Sequence, residues 1–351
     1  MTARARQIPV IVLAGFLGAG KTTVLNQLLR GSGGTRVGVV VNDFGAIEID
    51  AMSVSGQVGS TVSLGNGCLC CAVDGSELDS YLKRLTRPSV GLDVIVIEAS
   101  GLAEPQELVR MLLASDNPRI VYGGLVEVVD AAEFEATRER HPEIGRHLSL
   151  ADLVVLNKTD RVADADRERL AETVAGLADG AAVVSASYGR IDPELLFDRK
   201  PRAERFGQLS FEDVAGEGRE ADSAWAPVHD GHLHAGYESV SYATGRPLGP
   251  RPLLDFLDRR PEGLYRIKGY VDFGAHDPRN RYVLHAVGRF LRFYPEPWPE
   301  GEEHGTALVL IGSGIDPEPL AAELDACRDE EPQQVREEAL WGVLRFVPEE
   351  E

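Results

Sequence analysis

Cysteine, methionine and tryptophan are scarce in this chain, at four, three and three residues among 351. So little sulfur, with three of the cysteines crowded at Cys68, Cys70 and Cys71, excludes a disulfide-stapled scaffold and points to a reducing, cytoplasmic setting. Long apolar runs are missing as well. None reaches the length needed to cross a bilayer, and the run after Arg4 and Arg6 is broken by glycines, so it does not read as a secretory leader. Positive charge is in short supply: 36 Lys and Arg face 56 Asp and Glu, for a net charge of −20. Without a local basic patch such a surface repels phosphate backbones and anionic lipid, which argues against nucleic-acid and membrane partners. What remains is 43% apolar, enough for two cores and two domains.

Glycine, by contrast, sits where chemistry needs it. GFLGAGKTT runs from Gly15 to Thr23, between the β-branched run IPVIVLAG and a stretch with Val24, Leu25, Leu28 and Leu29 at helical spacing. Strand, glycine-rich loop and helix in that order predict a phosphate cradle. Gly15, Gly18, Ala19 and Gly20 turn backbone N–H groups inward around a β-phosphate at a helix N-terminus. Lys21 then bridges the β- and γ-phosphates, the Thr22 hydroxyl is a Mg2+ ligand, and Thr23 continues the cradle.

To about residue 200, apolar runs alternate with helical patterns. VGVVVND at Val37, DVIVIEAS at Asp93, GGLVEVVD at Gly123 and ADLVVLNKTD at Ala151 read as strands, with helices at ELDSYLKRL, ELVRMLL and RERLAETVAGLA. This alternation predicts an α/β domain with a mostly parallel sheet and ligands at the carboxyl ends of its strands. Asn157, Lys158 and Asp160 form NKTD at one such end. A carboxylate at Asp160 accepts from both N1–H and the 2-amino group of guanine, which adenine lacks, so the pattern selects GTP over ATP. Ser185 and Ala186, after the AAVV run, resemble a further base-contacting element. Glu98 and Gly101, in EASG after DVIVI, occupy the place of a magnesium and γ-phosphate sensor. The competing reading makes Ser100 or Glu98 the cap of a helix starting near Pro105. Leu102 stands where a water-orienting Gln often is, and no arginine finger is visible in cis. Hydrolysis should therefore be slow.

Three thiolates within SLGNGCLCC suit a soft or borderline ion such as Zn2+, with Asp43 of NDFG the candidate fourth ligand; Co2+ is also compatible. Structural burial of small thiols is the alternative reading, and a disulfide between adjacent Cys70 and Cys71 would be strained.

GFLGAGKTT, NDFG, GNGCLCC, IEASGLAEP and NKTD, in that order, resemble the CobW family of P-loop GTPases, metal-insertion chaperones and cobalamin-synthesis accessory proteins. The likeness covers roughly the first 200 residues, and Gly236 to Val347 is similar in outline to the family's C-terminal domain. It implies GTP hydrolysis coupled to delivery of a metal to a client protein, with Cys68, Cys70 and Cys71 lying between two nucleotide-responsive segments. Many members carry Glu where this chain has Asp43.

The expected organisation is thus a P-loop domain over 1–200, a polar acidic connector over 201–235 and a smaller α+β domain over 236–347. The connector ends in HDGHLH, where His229, His232 and His234 could capture metal. In the C-terminal part YESVSYAT, LYRIKGYVDF, RYVLHAVGRFLRFYP and TALVLIGSG read as strands, with helices at PLLDFLDR and PEPLAAELDACRD. Cys327, Phe290, Phe293, Tyr294 and Trp298 read as core, and the domain is the expected docking surface for the client. The sequence is compatible with a homodimer. Two other functions stay open: a P-loop small-molecule kinase with structural cysteines, and a GTP switch that regulates a partner without handling metal.

Overall fold

The computed structural model describes residues 7–41, 61–63, 75–198, 237–299, 301–329 and 339–348. Asp43, Cys68, Cys70, Cys71 and the histidines at 229, 232 and 234 lie outside the described residues, as does the connector.

Seven strands form the first sheet: β1 (Ile8–Gly15), β2 (Val37–Val41), β3 (Thr61–Ser63), β4 (Val94–Glu98), β5 (Ile120–Asp130), β6 (Leu153–Asn157) and β7 (Ala182–Ser185). Their order is β3-β2-β4-β1-β5-β6-β7, and every pair is parallel. Parallel strands need crossovers, which the helices supply: α1 (Lys21–Gly31), α2 (Gly75–Leu85), α3 (Pro105–Leu113), α4 (Phe134–Arg140), α5 (Glu143–Leu150) and α6 (Asp164–Leu177). Alternate residues along the strands sort into opposite cores. Ile11, Leu13, Val94, Val96, Val126 and Val128 pack with Val24, Leu25 and Leu28 of α1. Val10, Val12, Ile95, Ile97 and Leu125 pack with Leu78 and Leu82 of α2 and Leu108 of α3 on the other face. Burial on both faces explains why these strands read as continuous apolar runs.

The second sheet is antiparallel, in order β11-β10-β9-β12-β8. Its strands are β8 (Glu238–Thr244), β9 (Leu264–Val271), β10 (Asn280–Val287), β11 (Phe290–Pro297) and β12 (Thr306–Gly312), joined by α7 (Pro250–Asp258), α8 (Pro317–Ala326) and α9 (Trp341–Leu344). RYVLHAVGRFLRFYP, expected as one strand, is a hairpin: Val287 pairs with Phe290 across Gly288 and Arg289. The turn falls there because Gly288 takes φ 50°, a conformation that favours glycine. Phe293 is fully buried, whereas Phe290, Tyr294 and Trp298 are only partly so. Cys327 is buried as expected, and its thiol, pushed up to about 11 chiefly by burial, is inert.

The two sheets share a core. Tyr265, Val287 and Ile311 of the second join the cluster around α1 and the first sheet. Polar bonds cross the same seam: the Arg266 guanidinium donates to Leu196 O at 3.1 Å, Ser313 Oγ to Val183 O at 2.9 Å, and His285 Nε2 bonds Tyr122 O at 3.0 Å. Burial pulls the His285 imidazole down to about 4, so it is neutral at pH 7.

A base whose folded pKa lies below its unfolded value contributes stability that is complete above the unfolded value and is lost as pH falls toward the folded one. His285 should therefore remove about 2 kcal/mol of unfolding free energy between pH about 7 and pH about 5. Urea unfolding of the wild type and His285→Asn at both pH values checks this; an equal loss in both proteins would refute the assignment.

Candidate functional site

The site is built on the carboxyl edge of the first sheet. β1 ends at Gly15, residues 16–20 turn, and α1 starts at Lys21. Gly20 precedes the helix at φ 99°, and no side chain caps it, which leaves the first helical N–H groups directed at the edge. Glycine at position 20 also answers to a neighbour: a Cβ there would lie 2.4 Å from Asn157 Nδ2. The strand–loop–helix order is as expected, with Gly15 closing β1, Gly18, Ala19 and Gly20 in the turn, and Lys21, Thr22 and Thr23 opening α1.

Asn157, 1% exposed at the end of β6, joins three loops. Its Nδ2 donates to Ala19 O at 3.0 Å, and its Oδ1 accepts from Gly189 N at 3.0 Å. Lys158, at φ 60°, donates to Gly18 O at 2.6 Å and to Asp130 Oδ2 at 2.7 Å. Thr159 Oγ1 donates to Ala186 O at 3.0 Å, while Ala186 N bonds Leu156 O. NKTD and the Ser185-Ala186 segment are thus tied to each other and to the glycine-rich turn. Asp160 and Ser185 are exposed, and Ala186 is buried.

On the other flank, Thr22 Oγ1 donates to Glu98 Oε1 at 2.7 Å. Glu98 is buried at the end of β4. The capping alternative for EASG does not hold, because Glu104 precedes α3 and no side chain caps it. Gly101 approaches the turn closely: a Cβ there would meet Leu17 N at 2.8 Å. A hydroxyl and a carboxylate side by side at the mouth of a phosphate cradle are the hard oxygen donors that Mg2+ prefers. The side-chain donors present therefore fit that ion, and Thr22 and Glu98 are the residues that would hold it. Lys21, buried, donates to Gly15 O at 2.9 Å and Phe16 O at 3.4 Å, within reach of the turn that would hold phosphate.

Three contributors were not singled out from sequence. Asp130, at the end of β5, fixes Lys158; a lone acidic residue closing an apolar strand was the available signal. Gly189 supplies the N–H that Asn157 accepts, and nothing in its local sequence marks it. Glu127 is buried inside β5, and a charge within GGLVEVVD was a visible anomaly. Among the described residues no group of three or more His, Cys, Asp or Glu side chains is disposed to hold a metal ion.

Strand, glycine-rich turn, Lys-Thr helix and Asn-Lys-Thr-Asp loop on one edge of a parallel sheet define a P-loop nucleotide-binding protein. Residues 9–185 match the CobW/HypB/UreG nucleotide-binding domain, and residues 237–328 match the cobalamin synthesis protein cobW C-terminal domain. The chain belongs to the CobW/HypB/UreG family. It is similar to the zinc chaperone CobW of Sinorhizobium sp, at 30% identity over 89% of this chain and 95% of that protein. The zinc chaperone YjiA of Escherichia coli (strain K12) is 31% identical over 90% of this chain and 97% of its own length. The zinc-regulated GTPase metalloprotein activator 1 of Schizosaccharomyces pombe is 32% identical over 53% of this chain and 47% of that protein.

The contact at Gly20 yields a direct test. Gly20→Ala places a methyl against Asn157 and forces an unfavourable φ, so nucleotide affinity should fall by at least about tenfold while the fold persists. A Kd for GDP within about twofold of wild type would refute the close approach.

Proposed function

We propose that the chain is a GTP-binding, slowly hydrolysing metallochaperone that couples nucleotide state to the binding and delivery of a divalent metal, zinc in first place and cobalt second. The arrangement of NKTD carries the nucleotide half. Asn157 locks the phosphate turn to Gly189 and Thr159 bonds Ala186 O, so the exposed Asp160 lies on the same edge as the cradle, ready for the guanine N1–H and 2-amino donors. Lys21 is assigned to the β- and γ-phosphates, Thr22 and Glu98 to Mg2+, and the Gly101 N–H to the γ-phosphate. Mg2+, when bound, neutralises phosphate charge and orients the terminal phosphoryl group. Leu102, 59% exposed, has no side-chain group able to orient water, which fits slow turnover.

The metal half is proposed from Cys68, Cys70, Cys71 and Asp43 and from the likeness to two zinc chaperones and a zinc-regulated GTPase metalloprotein activator. These ligands lie in sequence between β2 and β4, and Glu98 at the end of β4 bonds Thr22 beside the phosphate turn, so occupancy of the γ-phosphate position can bias their geometry. Linkage requires the reverse effect of equal size. The metal is cargo for a client protein, and we place client docking on the C-terminal domain over 236–347. The GTPase domain spans 1–200 and the polar connector 201–235. His229, His232 and His234 are proposed as auxiliary metal capture. Among the described residues no helix is long and apolar enough to cross a membrane, and the setting is proposed to be cytoplasmic.

Two measurements test the two halves separately. Asp160→Ala should cut the preference for GTP over ATP by about a hundredfold or more, since the guanine donors lose their acceptor; an unchanged preference in competition binding would remove the guanine assignment. Zinc titration of the full chain loaded with GDP or a non-hydrolysable GTP analogue should show affinities differing by about tenfold. The Cys68→Ser, Cys70→Ser, Cys71→Ser triple variant should lose the tight site and keep nucleotide binding. Equal zinc affinity in both nucleotide states would leave a GTPase without the proposed coupling.

A further inference from the structure

One buried charge at this site has no place in the assignments above. Glu127 lies within β5, paired in register with Ala14 of β1 and Val154 of β6, and is 2% exposed. Strand alternation puts it on the face opposite Val126 and Val128. Glu98 follows the alternation of Val94 and Val96 and shares the face of Val126 and Val128, so the two carboxylates stand on opposite sides of the sheet. Around Glu127 the sheet is apolar, at the meeting of the cluster containing Ala14 and Leu125 with the cluster containing Val129 and Val154. Its Oε2 is buried and accepts no hydrogen bond. An unbonded ionised oxygen there would be costly, so the carboxyl needs either a proton or a compensating cation.

Lys21 is the cation beside it: Glu127 stands opposite Ala14 on β1, and the next carbonyl along that strand, Gly15 O, accepts from Lys21 Nζ at 2.9 Å. Burial pushes the Glu127 carboxyl up to about 8, and attraction to the Lys21 ammonium opposes the rise. The other charged groups on elements packed against β5 have their own partners. Glu107 bonds Arg110 on α3. Beside and on α5, Glu143 bonds His141, and Arg146 and His147 bond Glu104. On β10, Arg281 pairs with Glu302, and His285 is neutral. On β5 itself, Asp130 holds Lys158.

We propose that Glu127 is a positioning residue of the nucleotide site that acts through Lys21 and takes up a proton from solvent when a nucleotide phosphate binds. The proposal rests on Lys21 serving that phosphate. When phosphate draws the Lys21 charge toward itself, the carboxylate loses its compensating cation and gains a negative neighbour. Both changes favour the neutral carboxylic acid. The balance is simple: one H+ leaves the buffer and joins a Glu127 oxygen, and no other bond changes. Once protonated, the residue no longer competes with the phosphates for the ammonium.

The sign follows by linkage. The bound state holds the proton more tightly than the free state, so affinity is full at low pH and declines as pH rises through the free-state value. Calorimetry of the full chain with GDP and Mg2+, in buffers of different ionisation enthalpy, reads this directly. The phosphates of GDP are fully ionised in the window used. Between pH about 7 and pH about 8.5 the wild-type Kd should weaken about fourfold, with about half a proton taken up per GDP at pH about 8. Glu127→Gln, which mimics the neutral acid, should bind with a Kd flat across this window and an enthalpy independent of buffer. A wild type that binds GDP with no proton uptake overturns the proposal and leaves the nucleotide reading standing. Equal uptake in Glu127→Gln also overturns it, because the proton then goes elsewhere. Failure of the wild type to bind GDP would instead remove the nucleotide reading itself. The wild-type arm decides whether or not the variant folds.

Discussion

The amide of Asn157 is the contact on which the nucleotide edge depends. A glycine-rich turn has little conformational preference of its own, since glycine loses more freedom on ordering than any other residue. Here the turn is held from outside. The buried amide donates to Ala19 O in the turn and accepts from Gly189 N in the loop after β7. Lys158 adds a second tie, to Gly18 O, and is itself anchored on Asp130. Buried amides cost free energy unless both ends are bonded, and this one is bonded at both. The residues that would read the base therefore also build the phosphate cradle. A ligand that engages both ends of the edge meets a surface already assembled, which reduces the ordering cost of binding.

β5 connects that edge to the second sheet. Its carboxyl end supplies Asp130 to the nucleotide side, while Tyr122 near its start accepts from His285 of β10. Gly124, at φ 111°, leaves no room for a side chain: a Cβ would lie 2.8 Å from Val287 and 2.9 Å from the Tyr265 hydroxyl. Backbone of the first sheet thus approaches side chains of the second directly. Close-packed interiors resist gradual deformation, so a shift of β5 at one end must be accommodated at the other. β5 thus runs from the seam with the second sheet to the edge that carries Asp130.

Much of this was legible in the sequence where period and turn chemistry agree. IPVIVLAG before GFLGAGKT, and ADLVVL before NKTD, specify strand, turn and ligand edge together. Elsewhere the local pattern misled. RYVLHAVGRFLRFYP is apolar through a two-residue turn, and only the φ demanded at Gly288 separates its two strands. The strand that GGLVEVVD marks from Gly123 begins at Ile120, and its paired glycines mark a bulge and a close approach between sheets. HPEIGRHLSL forms a short helix whose buried residues, Ile144 and Leu148, are too few to declare a period. The ties made by Asn157 and Thr159 join segments far apart in the chain, and sequence alone does not carry them.

Charge completes the argument. The chain is strongly acidic, with a net charge of −20, yet its proposed ligand carries several negative charges. A diffuse acidic surface repels such a ligand, so attraction has to come from groups close to it: the start of α1, Lys21 and the divalent cation that we propose Thr22 and Glu98 hold. In that setting each ionised carboxylate near the phosphates subtracts directly from a small local surplus. Glu98 offsets its own cost by offering a cation site, and Asp130 is neutralised by Lys158. Glu127 has only the Lys21 ammonium, on which the phosphates also draw, and the surrounding apolar packing prevents water from screening it. Among the described carboxylates at this edge, it is therefore the one whose charge we propose phosphate sets.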